Sequence, residues 1–349
     1  VATGQYPTLI DVASRTDPTG KQRLIAEMLS QWNAVLDDLM IKKASEITSH
    51  TFTYRTSIPG GYWAGYNQGV PVGKSTTAQG TTSMGRLQSF SQIDKNLVED
   101  NSENEEFRLS EDQAFIEGMS QTMAETIFYG NTFEIPSQFM GFSTIYNTTN
   151  TSTKANARNV ISAGGTGSSN ASIWCVGWGD RSTFAVHPRN SDSAGLKVEN
   201  LGDVFPAYDQ LGNMFRAYTT HFQHAMGLVV EDWRTNFRIC NIDTTNAGLA
   251  GPNPPNLFDF ISNSLLLLPT APKMVSGITQ TDAPGNPTPA NNYILYVNRT
   301  IRAAMDKQAI RDRNVLLNMR DYAGIVVDTY RGVPIKIVDQ LVNTESTVN

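Results

Sequence analysis

The chain has 349 residues, 40% of them hydrophobic and only 17% charged, with 27 Lys and Arg against 33 Asp and Glu for a net charge of -6. The apolar fraction excludes a disordered chain and suffices for two or three compact units with real cores. The acidic balance, with no basic run, excludes a protein that grips nucleic acid through its phosphates.

Charged residues in soluble domains average about 25%. Here Asn, Thr, Ser, Gln and Gly take their place, which suits a surface to be covered by neighbours. Like charges at a repeated interface would repel, and each buried ion would need a partner. The opening residues, VATGQYPTLIDVASR, lack the basic region and apolar core of a signal peptide. The apolar run SLLLLP, ending at Pro269, is far too short to span a bilayer. The sequons at Asn147, Asn150, Asn170 and Asn298 are therefore expected to be products of composition.

From Asp17 to Ala44 the spacing predicts a docking helix. Leu24, Ile25, Met28, Leu29, Trp32, Val35, Leu36 and Leu39 form one apolar stripe, with Lys42 and Lys43 at the negative end. From Ile47 to Glu99 the pattern predicts a long, thin hairpin. Phe52 and Tyr54 alternate with polar residues on one leg, and Leu87, Phe90 and Ile93 on the other. The middle, rich in Gly, Thr, Ser and Gln, cannot bury enough apolar area to fold alone. Legs of about twenty residues would reach roughly 65 Å, against a radius of gyration of about 20 Å for a compact body of this size. Such an arm finds its stability on another subunit.

Within the arm, GVPVGKST (Gly69–Thr76) looks like a phosphate-binding loop. The spacing is one residue short, because Gln68 stands where the first Gly should be. Pro71 removes an N–H that would cradle phosphate. No buried strand precedes it and no good helix follows, so no nucleotide site is expected.

A second helix is predicted from Ser110, where Ser110 and Gln113 make a capping box, to Gly130. Phe115, Met119, Thr122, Met123 and Ile127 line one side of it, widened by Ile116 and Phe128. The preceding EDNSENEEF reads as a solvated charge run. A strand-rich region follows, through IWCVGWG, RSTFAVHP, GLKVENLG and FRAYTTHFQHAMGLVVEDWRTNFRICNID. Cys175 and Cys240 lie in its apolar strands as buried, reduced thiols. His221 and His224 would share a face on a helix, but on a strand they point to opposite faces, so no metal site is expected. His187 before Pro188 reads as a strand end. The remainder gives a helix at NLFDFISNSLLLLP, a buried strand at YILYVN and a helix at RTIRAAMDKQAIRDR. Two strands joined by a tight Arg331–Gly332 turn end the pattern. No Gly-x-Ser-x-Gly elbow or Cys/His dyad occurs. No catalytic residue, cofactor or metal is expected, and the protein does not read as an enzyme.

An extended N-arm, a Gly/Thr-rich hairpin, a spine helix and a mixed remainder together resemble the tailed-phage major capsid proteins of the Hong Kong 97 fold. The likeness is to the epsilon fifteen-like major capsid proteins. It is carried by SIWCVGWGDRSTFAVHPRNSDSAGLKVENLGD, HAMGLVVEDWRTNFRICNID, YILYVNRTIRAAMDKQA and DTYRGVPIKIVDQLVNTE. The resemblance implies an α+β fold with N-arm, extended hairpin (the E-loop), spine helix, and peripheral and axial domains. It divides the chain into an arm and docking helix at 1–47 and an E-loop at 48–105. A mainly peripheral part follows at 106–255 and a mainly axial part at 256–349.

The function it implies is self-assembly into the icosahedral head of a tailed double-stranded DNA phage. Hexamers and pentamers of the chain would enclose DNA without sequence-specific binding. Cement or decoration, scaffolding and portal proteins would be its partners, with no membrane. The location would be the virion, and the host cytoplasm during assembly. The E-loop contact would use Tyr54, Trp63, Tyr66, Lys74 and Arg86. Some relatives join a Lys to an Asn covalently, and Lys74 and Asn67 lie on the arm. No buried carboxylate is identified to serve that chemistry, so Lys74 reads as a solvated charge. The alternatives are an enzyme using Lys74 on a phosphate substrate, and a β-rich adhesin or glycan-binding module presenting Tyr62, Trp63 and Tyr66.

Overall fold

The structure, a computed structural model, describes residues 6–7, 31, 33–100, 104–191, 195–202, 206–208, 211–245, 248–249, 251, 254–269, 281–283, 286–287, 292–311, 317–322 and 325–349. Most of the expected docking helix lies outside these residues. Within them, helix α1 covers only Val35–Asp38, and the chain then forms strand β1, Ile41–Lys43. Lys42 and Lys43 are thus strand residues, paired in parallel with residues 185–187. Backbone pairing to a waiting sheet edge overrides helix propensity here. The Lys42 ammonium also pairs with Asp180 and lies 3.9 Å from the centre of the Phe184 ring.

Strands β2, Ser49–Ser57, and β3, Thr76–Ser83, form an antiparallel two-stranded ribbon. Hydroxyl pairs such as Thr56 with Thr76 at 2.7 Å stitch it across. Its strands have 9 and 8 residues, a reach of about 30 Å rather than 65 Å. The outgoing leg ends at Ser83, and the Met84 N–H closes the root on the Thr48 carbonyl at 2.9 Å. Strand β4, Gly85–Asp94, then enters the body, so Leu87, Phe90 and Ile93 belong to a body sheet and not to the arm. Gly85 permits that entry, since a Cβ there would lie 3.0 Å from the Ser137 carbonyl oxygen.

After the short helix α2, Lys95–Glu99, the spine helix α3 runs from Asn104 to Tyr129. Its 26 residues give about 39 Å. It begins before Ser110, so residues 104–107 of the acidic run form its first turn and Ser110 is an interior residue. The expected end at Gly130 holds. The Gly130 N–H donates to the Thr126 carbonyl at 2.8 Å, and a Cβ on Gly130 would meet the Phe139 carbonyl oxygen at 2.4 Å. A close crossing of chain, not a left-handed turn, requires glycine there. Helix α4 covers Phe142–Ile145.

The next strands are β5, Val160–Ser162; β6, Asn170–Trp178; β7, Thr183–His187; β8, Lys197–Gly202; β9, Pro206–Tyr208; β10, Met214–Val230; and β11, Phe237–Asp243. Helix α5, Leu257–Leu265, follows, then a small pair, β12, Thr281–Ala283, and β13, Asn286–Pro287. Strand β14, Asn292–Val297, helix α6, Arg299–Arg311, and strands β15, Leu317–Tyr322, β16, Ile325–Tyr330, and β17, Val333–Ile337, complete the fold. The main sheet runs β15-β16-β17-β14-β6-β7-β10-β4, with β1, β5, β8, β9 and β11 attached at its sides. Arg331 and Gly332, at φ 50 and φ 84, make the β16–β17 turn that their sequence requires.

The sheet is covered on both faces, which is why β6 reads as one apolar run: all nine of its residues are buried. Trp174, Val176 and Trp178 face Ile127, Phe128 and Phe142 of α3 and α4. Ile173 and Cys175 alternate to the other side, against Phe258, Ile261, Ile301 and Met305 of α5 and α6. Helix α1 is pinned to the first layer by one polar cluster. Trp178 Nε1 donates to the Tyr296 hydroxyl at 2.8 Å, Tyr296 donates to Asp38 Oδ2 at 2.8 Å, and Lys336 pairs with Asp38.

Candidate assembly interface

Between β2 and β3, residues 58–75 have no helix or strand. Trp63, Tyr66 and Val72 project wholly into solvent, and Ile58, Tyr62 and Val70 are also exposed. Gly65 and Gln68 close a small turn, the Gly65 N–H donating to Gln68 Oε1 at 3.1 Å. The structure therefore gathers Trp63, Tyr66 and Lys74 on the tip, with Tyr54 exposed lower on β2 beside Phe52. Arg86 is not with them. It lies exposed on β4, opposite Ala225 of β10, on the body near the root. The phosphate-loop likeness stays accidental in shape: Gly73 and Lys74 are irregular and Thr76 opens a strand, with no helix behind them.

The other candidates for chemistry fall into structural roles. His221 and His224 lie on β10 and point to opposite faces. His221 stacks on Phe90 at 4.3 Å between ring centres, and burial holds His224 below the usual histidine range. Cys175 and Cys240 are buried free thiols on the two faces of the sheet. Burial pushes Cys240 up to about 11 and Cys175 higher still, so neither is poised as a nucleophile. Asn170 and Asn298, two of the sequon residues, are buried. Among the described residues, no group of three His, Cys, Asp or Glu side chains could hold a metal. No described helix is long and apolar enough to cross a membrane.

Sequence reasoning missed one charged site, in the body that carries the hairpin. Arg238, on β11, is buried against the Trp174 ring, 4.8 Å from its centre. Its Nη2 donates to Glu345 Oε2 at 2.8 Å, Nε to Ser172 Oγ at 3.1 Å, and Nη1 to the Tyr146 carbonyl at 2.9 Å. Glu345 also accepts from Ser172 and, at 2.6 Å, from the Tyr129 hydroxyl at the end of the spine helix. Burial, then the nearby Glu345 charge, raises Tyr129 well above the usual phenol range, so it stays a donor. The segment around Glu345 is strapped down as well. The Glu345 N–H donates to the Asn170 carbonyl at 2.9 Å, and Val348 N–H to Asn241 Oδ1 at 2.8 Å. The available signal was one charge in the otherwise apolar FRIC run.

None of the curated proteins matches the chain. Among solved structures, that of bacteriophage Epsilon15 is 30% identical, with a TM-score of 0.71, over 100% of this chain and 99% of that one. The bacteriophage JBD30 capsid aligns over 93% of each chain at 11% identity and a TM-score of 0.45. The capsid of a native GTA particle aligns over 64% of this chain and 95% of its own, at 12% identity and a TM-score of 0.43. The fold is thus the α+β capsid fold of the Hong Kong 97 type. The model of one family, major capsid protein GP7, matches residues 17–349, and the chain belongs to that family.

Proposed function

We propose that copies of this chain, a shell-forming major capsid protein, interlock by laying the β2–β3 hairpin across a neighbouring copy. The observation that carries this is the tip. Six large apolar side chains stand in solvent on a stretch that has no core of its own. Fully burying one such side chain is worth about 1.5–3 kcal/mol, and a lone two-stranded ribbon is marginal in water. Both terms favour a covered tip. Tyr54, Trp63, Tyr66 and Lys74 form the contact face, and Arg86 flanks it from the body.

On this reading residues 1–47 serve as arm and docking segment, and 48–105 contain the E-loop with its root. Residues 106–255 make most of the peripheral domain and 256–349 most of the axial domain. Hexamers and pentamers close an icosahedral head around double-stranded DNA, which the acidic chain encloses without gripping. Portal, scaffolding and cement proteins join it, with assembly in the host cytoplasm and residence in the virion. The role is structural and not enzymatic. The adhesin alternative needs an aromatic platform on a rigid surface, whereas Tyr62, Trp63 and Tyr66 stand on irregular chain at the tip.

The test is the double variant Trp63→Ala with Tyr66→Ala. Folding is expected to be unchanged within about 0.5 kcal/mol, as for exposed positions, while closed shells are lost in light scattering and negative-stain microscopy. Normal shells from that variant would overturn the hairpin contact.

A further inference from the structure

The hairpin leaves the body through a tight turn, closed by the Glu46 N–H on the Ser49 carbonyl at 3.2 Å and by one titratable ring. β1 ends at Lys43, and the Ala44 N–H donates to the His187 carbonyl at 2.9 Å. β2 begins at Ser49, so only the turn 44–48 separates body strand from arm. The Ser45 N–H donates to His50 Nδ1 at 3.1 Å, and the Thr51 N–H donates to Ser45 Oγ at 2.9 Å. His50 thus folds back from the arm onto the first residues of the turn. Its ring is fixed in turn by an edge-on contact with Phe184 of β7, 5.7 Å between centres and 83° between planes. The second leg adds the Met84–Thr48 bond and the pairing of Ser83 and Thr82 with Ser49 and His50.

We propose that His50 is a proton-operated latch for the hairpin: the neutral ring sets the angle at which the arm leaves the body, and protonation releases it. The chemistry is local. A neutral imidazole can accept at Nδ1 while its proton sits on Nε2, whereas the cation carries N–H at both positions and accepts nothing. Protonation therefore turns the Ser45 contact into two opposed N–H groups.

The groups around the ring set where this occurs. Lys42 on β1 opposes a second positive charge, and Glu231, just after β10, favours one. Glu46 lies on the turn itself, bonded to Ser49, and Arg189, just after β7, donates to the Ser45 carbonyl at 3.4 Å. Burial outweighs the Glu231 attraction and holds His50 below its ordinary value. The latch is accordingly closed at neutral pH and lost as pH falls through that lowered value. The proposal deepens the reading of the hairpin as the assembly arm, but its test reads the anchorage alone.

The experiment is amide hydrogen exchange on the full, unassembled chain at about pH 7.5 and about pH 5, corrected for the intrinsic pH dependence of exchange. Peptides covering 44–57 are expected to exchange about three- to tenfold faster at the lower pH, the loss of one hydrogen bond, while peptides from β6 stay protected. His50→Asn places Oδ1 where Nδ1 accepts and cannot titrate, so it should stay protected at both pH values. His50→Phe keeps the edge-on ring but not the acceptor, and should exchange fast at both. Two results would overturn the latch: no acid response in the unaltered chain, or an unchanged response in His50→Asn. Failure of the Trp63/Tyr66 variant to affect assembly would sink the arm reading and leave this measurement standing.

Discussion

Replacing Glu345 by Ala tests the most buried charged site among the described residues. Arg238 and Glu345 side chains are 4% and 6% exposed, so neither can turn to water when its partner is removed. Removing one member of a buried pair costs about 3–5 kcal/mol. Tyr129 and Ser172 also lose an acceptor, about 1 kcal/mol each. Against this, Arg238 keeps the Tyr146 carbonyl, Ser172 Oγ and the Trp174 face. The additions and the residual contacts roughly offset, leaving a loss of about 4 kcal/mol, a large share of a typical 5–15 kcal/mol stability.

Urea unfolding followed by tryptophan fluorescence measures it, on unassembled protein at fixed concentration, because assembly itself adds to native-state stability. The pair Arg238→Met with Glu345→Leu should lose less than the single Glu345→Ala change, since no charge is then stranded. A single-variant loss below about 1 kcal/mol, the worth of an exposed pair, would refute the buried site. Simple additivity of the two substitutions would refute the coupling.

Gly130→Ala should destabilise by about 1–3 kcal/mol, because its Cβ would sit 2.4 Å from the Phe139 carbonyl oxygen; an unchanged urea midpoint would show that the crossing relaxes freely. Cys240, pushed up to about 11, and Cys175, pushed higher, should both resist a thiol reagent at about pH 8 in the native chain and both react in urea. Rapid modification without denaturant would contradict their burial.

Much of the fold was legible because it rests on strong local patterns. The spine helix carries a helical stripe and a glycine stop, and β6 and β14 are apolar runs covered on both faces. Arg331–Gly332 demands a tight hairpin turn. The errors came where partners are distant in sequence. Leu87, Phe90 and Ile93, scattered among polar residues, read the same whether the strand lies on an arm or beside β10, so the arm came out too long. Gly85, where the chain squeezes past Ser137, was the missed marker. The three residues of β1 follow a helical stripe and become a strand only because β7, over 100 residues later, offers an edge. Glu345 sits in polar sequence, and nothing local announces that Arg238 needs it. The exposed tip was readable, since Trp63, Tyr66 and Lys74 lie among residues that cannot form a core. Arg86 was misplaced by the same error that lengthened the arm.

The most direct test is light scattering and negative-stain microscopy of the purified chain across concentration and salt, with limited proteolysis of the hairpin, residues 49–83. Closed shells or capsomer rings are expected, with a hairpin cut rapidly in free subunits but protected once they assemble. A monodisperse monomer at every condition, with the hairpin already resistant to protease, would contradict assembly through the hairpin.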